Sequence, residues 1–318
     1  MTLVARLTFL MVLLLGCSRA TADGVTPFGE VLLWHASQET SSIWSSALTR
    51  VGSDATFSGQ NVDFGWDAGF RVGVAHDPGG YLWDSKMTWT HWTTSAEASI
   101  AAGEAFVMPE FFSGFVNVDA WFVDQAAVRW DLTLNQIDFE IGHAIAVGHC
   151  ASVRPTMGLK AAFIDQKIRA DWGTTVGTFS ATERVDHQFR GFGPTFGIDG
   201  RWQLSQRRNV SLVGSFSGSL LWGVWNVEDA YARNDTGFSL PAYGGFTTSM
   251  NDSSLGTANL NAFLGLEWVR EGTFTMTGRV GYELQWWANQ QRLTAFQQLP
   301  MHGDLTIQGL TCGLAVGF

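Results

Sequence analysis

Residues 304–318 read D-L-T-I-Q-G-L-T-C-G-L-A-V-G-F, and hydrophobicity alternates along them with a period of two. Leu310, Cys312, Leu314 and Val316 fall on one face, and Gly309, Thr311, Gly313, Ala315 and Gly317 on the other. This alternation marks a strand with different surroundings on its two sides. A greasy face opposite a small or polar one, running to an aromatic residue, fits a strand that crosses a bilayer at a tilt, lipid outside and water inside. Phe318 is then expected to serve as the assembly signal of that strand.

The same period recurs along the chain. Val62, Phe64, Trp66, Ala68, Phe70, Val72 and Val74 oppose Asp63, Gly65, Asp67, Gly69, Arg71 and Gly73. Similar alternation covers 81–93, 128–134, 157–163, 192–204, 210–224, 260–268 and 274–286. After residue 134 the pattern resumes one position later, at Ile137, Phe139 and Ile141, which predicts a β-bulge near Asn135. With a first strand at 28–35, about ten strands result. Their connections alternate between long (38–60, 94–125, 166–188, 226–256, 289–303) and short (77–80, 145–152, 205–208, 270–273). Lipid offers no hydrogen bonds to a backbone, so strands cross it only as a closed sheet. The expected fold is all-β: a transmembrane antiparallel up-and-down β-barrel of about 10–12 strands, with short periplasmic turns and long extracellular loops.

Residues 1–22 read as a signal peptide, with Arg6 before an apolar core at 7–15 and Ala20-Thr21-Ala22 as the cleavage site. Leu14-Leu15-Gly16-Cys17 offers a rival lipoprotein site, to which the A-x-A site is the better match. Residues 23–318 are then one barrel domain exported to the bacterial outer membrane. Charged residues make up only 15% of the chain, yet no stretch beyond the amino terminus is long and apolar enough for a spanning helix. A net charge of −10 argues against nucleic acid as a partner. The seven histidines form no H-x-x-x-H or H-E-x-x-H pair, and no G-x-S-x-G elbow occurs. His143 and His149 are a weak pairing for a metal. No catalytic activity, cofactor or metal is therefore expected.

The polar faces nominate lumen residues: Asp67, Arg71, Arg129, Asp131, Asp138, Glu140, Lys160, Asp199, Arg201, Arg279 and Glu283. Both signs share single strands, which suits a transverse field across a water-filled pore. The expected function is a porin-like channel for passive passage of small hydrophilic solutes. The alternative is a structural or adhesive barrel whose lumen is blocked by ion pairs, because small barrels fill with side chains. Segment 94–125 is either a plug folded inward or an outer cap. Trp222, Trp225, Trp286 and Trp287 read as an interface girdle, although Trp225 and Trp287 have lumen parity. Expected partners are outer-membrane lipids and lipopolysaccharide, the barrel-assembly machinery acting on the C-terminal strand, and small solutes. A homo-oligomer is compatible with all of this.

Several segments also resemble the Legionella major outer membrane protein family of pore-forming proteins. They are W-D-L-T-L-N-Q-I-D-F-E-I-G-H (130–143), R-P-T-M-G-L-K-A-A-F-I-D-Q (154–166), F-G-W-D-A-G-F-R-V-G (64–73), G-F-G-P-T-F-G-I-D-G-R-W (191–202), G-Y-E-L-Q-W-W-A-N-Q (281–290) and L-T-I-Q-G-L-T-C-G-L (305–314). The match covers most predicted strands and little of the loops. It implies an outer-membrane barrel with porin-like activity and carries over no catalytic residue.

Overall fold

The computed structural model describes residues 24–38, 43–51, 54–79, 83–101, 106–109, 123–175, 179–205, 209–234, 245–293 and 301–317. The predicted signal peptide and Phe318 lie outside them. The strands are β1 (Val25–Gln38), β2 (Ile43–Val51), β3 (Asp54–Asn61), β4 (Asp67–His76), β5 (Asp84–Ala101), β6 (Phe106–Pro109) and β7 (Gln125–Gly142). They continue with β8 (Ile145–Ala146), β9 (Ala151–Gly173), β10 (Ser180–Ser205), β11 (Val210–Arg233), β12 (Gly245–Arg270), β13 (Thr275–Leu293) and β14 (Met301–Gly317).

Ten of them, β1, β4, β5, β7 and β9–β14, pair antiparallel with their neighbours into a closed barrel. The seam closes where β14 meets β1, with Phe28 opposite Ala315 and Gln38 opposite Leu305. Every barrel strand thus has two partners, so no edge faces lipid. β2, β3 and β6 form a separate three-stranded sheet.

Lipid dictates the outer face at membrane height. Phe70, Val74, Met87, Phe139, Leu159, Phe196, Leu264 and Leu310 all point outward; Phe196 is 64% exposed and Leu264 62%. On β10 the apolar outer row runs from Phe192 to Leu204, which at ~3.3 Å per residue and a tilt of ~40° covers about 30 Å. Trp202 and Trp268 ring its lower border and Trp89 and Trp222 its upper one, all exposed.

Above this belt the polarity of the wall inverts. On β9 the outward residues change from Met157, Leu159 and Phe163 to Asp165, Lys167, Arg169 and Asp171. The inward ones change from Arg154 and Lys160 to Ile164, Ile168 and Trp172. The physical cause is the outside solvent. Once a strand clears the bilayer its outer face meets water, and the interior becomes a core of mainly apolar side chains.

This inversion corrects several expectations. β7 pairs in unbroken register with both β5 and β9, so no bulge occurs near Asn135. Val128, Trp130, Leu132 and Leu134 point inward, in phase with Gln136 and Asp138, while Ile137 and Phe139 point out. Arg129 and Asp131 therefore lie on the outer wall rather than in the lumen, paired with each other and with Glu97. The strand expected at 62–74 begins only at Asp67; Val62 and Phe64 are buried in the core instead of facing lipid. The long connections 166–188 and 226–256 are largely strand, because β9–β10 and β11–β12 continue far above the belt. True register breaks fall elsewhere. One lies between Leu221 and Trp222, where Gly256 takes a φ of 152°, and another between Trp287 and Gln291, where Asn289 takes a φ of 50°.

Candidate functional site

The lumen has two layers, set by strand parity. At membrane height the lower layer is polar. Arg71 leaves β4 and reaches into it; its Nη1 donates to Glu30 Oε2 at 2.8 Å and its Nη2 to Glu283 Oε1 at 2.7 Å. Its Nε donates to Thr90 Oγ1 at 2.9 Å. Glu283 on β13 also accepts from Asn261 (3.1 Å), Gln285 (3.1 Å) and Thr311 (3.1 Å). Arg279 pairs with Glu30. Charge-assisted bonds of this density offset the desolvation of the ions they join.

A second knot lies on the facing wall. Lys160 on β9 pairs with Asp138 Oδ1 on β7 at 2.8 Å, and Gln136 donates to Asp138 Oδ2 at 2.6 Å. Lys160 Nζ also approaches the Trp287 ring, 5.9 Å from its centroid, from β13 across the lumen. Toward the short-turn end, Arg154 binds Asp84 and Asp199, and Arg201 binds Glu267. Arg154, Asp199, Arg201 and Glu267, with Lys86, Glu140, Lys160 and Arg279, line a cavity of about 380 Å³.

The upper layer is built mainly of aromatic and aliphatic side chains, with Gln166, Glu183, His187, Asp229, Gln290 and Gln291 buried among them. Trp34, Trp92, Trp130, Trp225 and Trp287 each have 0% exposure. Trp34 packs on Trp92 (6.2 Å between centroids) and Phe189 on Trp225 (4.8 Å). Glycine makes room for Phe189. A Cβ on Gly191 or Gly223 would lie 2.5 or 2.4 Å from its ring, so these positions accept no side chain without a shift. The amide of Gln38 on β1 donates to Gln166 on β9 at 2.7 Å, spanning the interior. Arg292 stacks 3.6 Å over Trp225, pairs with Asp252, and donates its backbone N–H to His187 Nε2 at 3.3 Å.

Residues between the barrel strands close the layer from above. Trp44 of β2 meets Trp172 at 6.4 Å, and Phe64 meets Trp130 edge-on at 5.8 Å. Val107 of β6 and Val123 are buried in the same core. The described parts of segment 94–125 thus combine a strand extension with apolar contacts into the mouth; 102–105 and 110–122 lie outside the described residues.

Of the residues nominated from sequence, Asp67, Arg71, Asp138, Glu140, Lys160, Asp199, Arg201, Arg279 and Glu283 face the lumen. Arg71, Glu283 and Arg279 meet through Glu30, and Lys160 meets Asp138. Asp67 stands apart at the boundary of the layers, where its Oδ2 accepts from Thr94 at 2.5 Å. Sequence reasoning missed Glu30, Asp84, Arg154 and Glu267. Glu30 directly precedes the run Val31-Leu32-Leu33-Trp34, which is apolar on both faces and so gives no parity from which to place it. Arg154 and Glu267 hold lumen parity with Lys160 and Arg279 and were findable by extending those rows. Trp225 and Trp287 are buried inside, whereas Trp222 faces out, 56% exposed. Cys150 and Cys312 are free and exposed. Among the described residues no group of His, Cys, Asp or Glu is placed to hold a metal.

Solved structures with similar folds include the outer membrane protease OmpT from Escherichia coli (10% identity, 94% of this chain and 98% of that one, TM-score 0.46). A Pseudomonas aeruginosa FadL homologue is similar at 8% identity, over 93% of this chain and 90% of that one, with a TM-score of 0.26. A mutant of the monoaromatic hydrocarbon channel TodX is similar at 5% identity, over 93% and 90%, with a TM-score of 0.26. No curated protein matches the chain. The family model described as Legionella pneumophila major outer membrane protein precursor matches residues 28–318. A closed antiparallel barrel with an apolar belt, matched to that model over nearly its whole length, belongs to the Legionella major outer membrane protein family and resides in the bacterial outer membrane.

Proposed function

We propose that this protein is a sealed outer-membrane barrel, with a structural or surface-presenting role. Its upper half projects beyond the bilayer as a water-soluble β-domain. The observation that carries the reading is the absence of exposure at Trp34, Trp92, Trp130, Trp225 and Trp287, contributed by β1, β5, β7, β11 and β13 around the ring. Side chains that line a water-filled channel keep contact with water. These keep none, and an interior of ten strands lies near the size that side chains fill. The cap from β2 and β6 adds a second closure. The reading involves no catalytic step, metal or cofactor. Its partners are outer-leaflet lipid and, during insertion, the barrel-assembly machinery that receives the C-terminal strand.

Porin-like passage of small hydrophilic solutes is the second reading. The polar cavity of about 380 Å³ and the family resemblance favour it. Passage requires the tryptophan layer and the cap to move together. Planar-bilayer recording of purified protein separates the two readings. The sealed barrel gives no conductance steps at moderate voltage, whereas regular steps in the unmodified protein would refute it.

A further inference from the structure

Above the lipid belt, the outer wall carries its basic residues on one side. Among the described outward positions there, lysine and arginine occur at Arg129 on β7, at Lys167 and Arg169 on β9, and at Arg184 and Arg190 on β10. These strands are neighbours. Arg129 stands opposite Arg169, and Arg169 opposite Arg184, so three guanidinium groups share one cross-strand row. Like charges placed directly opposite destabilise a sheet unless something neutralises them. Arg129 is neutralised by Glu97 and Asp131, and Arg169 by Asp171.

Lys167, Arg184 and Arg190 have no ion pair or side-chain hydrogen bond among the described residues, and all three are exposed. Lys167 is in register with Asp186, yet the two make no ion pair. Arg190 is the most telling. Its cross-strand neighbours are Phe163 and Val224, and the next outward residue on its own strand is Phe192. An unpaired cation is thereby held at the upper margin of the hydrocarbon belt. From Arg190 to Arg184 the ladder climbs about 20 Å along the strand, at ~3.3 Å per residue. That places its charges at the height of the lipid headgroups and the sugars above them.

We propose that the β9–β10 wall binds the phosphorylated glycolipid headgroup of lipopolysaccharide, with Arg190, Lys167 and Arg184 as its anion ligands. Arg190 meets a phosphate at the hydrocarbon boundary. Lys167 and Arg184 meet phosphate or carboxylate groups of the sugars above. Guanidinium groups match such oxyanions in pairs of parallel hydrogen bonds.

The test uses the full chain in detergent, titrated with lipopolysaccharide bearing both lipid phosphates, with the same material after enzymatic dephosphorylation, and with phosphatidylglycerol. Each cation near an anionic surface contributes a factor of roughly five, so Lys167→Gln/Arg184→Gln/Arg190→Gln is expected to bind about a hundredfold more weakly. Arg129→Gln, whose charge is already neutralised, changes affinity by about twofold at most. The conservative Lys167→Arg/Arg184→Lys/Arg190→Lys retains binding and serves if the triple glutamine variant does not fold. Heat-modifiable gel mobility confirms closed barrels throughout. Wild-type affinity in the folded triple variant overturns the proposal. So does equal binding of dephosphorylated lipopolysaccharide or of phosphatidylglycerol, and so does loss of binding in the conservative variant.

Discussion

Arg71→Met is the sharpest probe of the lumen. In the native barrel Arg71 is 8% exposed and satisfies two carboxylates, Glu30 at 5% and Glu283 at 2%. Methionine fills similar volume but carries no charge. Glu30 then keeps Arg279, while Glu283 keeps only the neutral donors Asn261, Gln285 and Thr311. Stranding a buried carboxylate costs about 3–5 kcal/mol. Glu283→Gln in the same background removes the stranded charge, so the double variant is expected to recover part of that loss, with a coupling of about 1–3 kcal/mol. Urea unfolding in lipid micelles at neutral pH, followed by tryptophan fluorescence, measures both. A loss below about 1 kcal/mol for Arg71→Met would mean that water reaches Glu283 freely. The lower layer would then be wet, and the buried ion-pair network there would lose its physical basis; closure by the tryptophan layer is tested separately, by conductance.

Three further outcomes test the assignment of faces. Leu132→Asp buries a carboxylate in the upper core and is expected to cost more than about 3 kcal/mol, whereas Asp131→Asn, its neighbour on the outer wall, stays within about 1 kcal/mol; thermal melts of the two compare them directly. Leu264→Arg places a charge on the lipid face and is expected to cost about 2–4 kcal/mol near the midplane, read as a lower unfolding midpoint in vesicles. Gly191→Ala drives a methyl into the Phe189 ring and is expected to cost about 1–3 kcal/mol, with partial recovery in Gly191→Ala/Phe189→Leu; full stability in the single variant would mean the ring has room to move.

The membrane-level half of the barrel was legible because lipid imposes one rule on every strand. Arg71, Lys160, Arg279 and Glu283 fall on the lumen side by counting in twos from the greasy positions beside them. The projecting half was misread for a related reason. Alternation keeps its period above the bilayer but reverses its sense, so Val128 to Leu134 looked lipid-facing and a bulge was needed to join them to Ile137. The correcting signal was present on β9, where Lys160, Ala162, Ile164, Gln166 and Ile168 keep one parity while Asp165, Lys167 and Arg169 appear on the other. Following parity through the change in polarity, instead of following greasiness, places Arg129 and Asp131 outside.

Local sequence determined the period of the strands and, where lipid is the solvent, which side chains point out, because burial in hydrocarbon acts on each strand separately. Tertiary structure alone decided how the interior is filled. The meeting of Arg71 with Glu30 and Glu283, the reach of Lys160 toward Trp287, and the closure of the mouth by Trp44 and Phe64 join residues far apart in the chain. Those contacts depend on barrel circumference and strand stagger, which only the closed sheet sets.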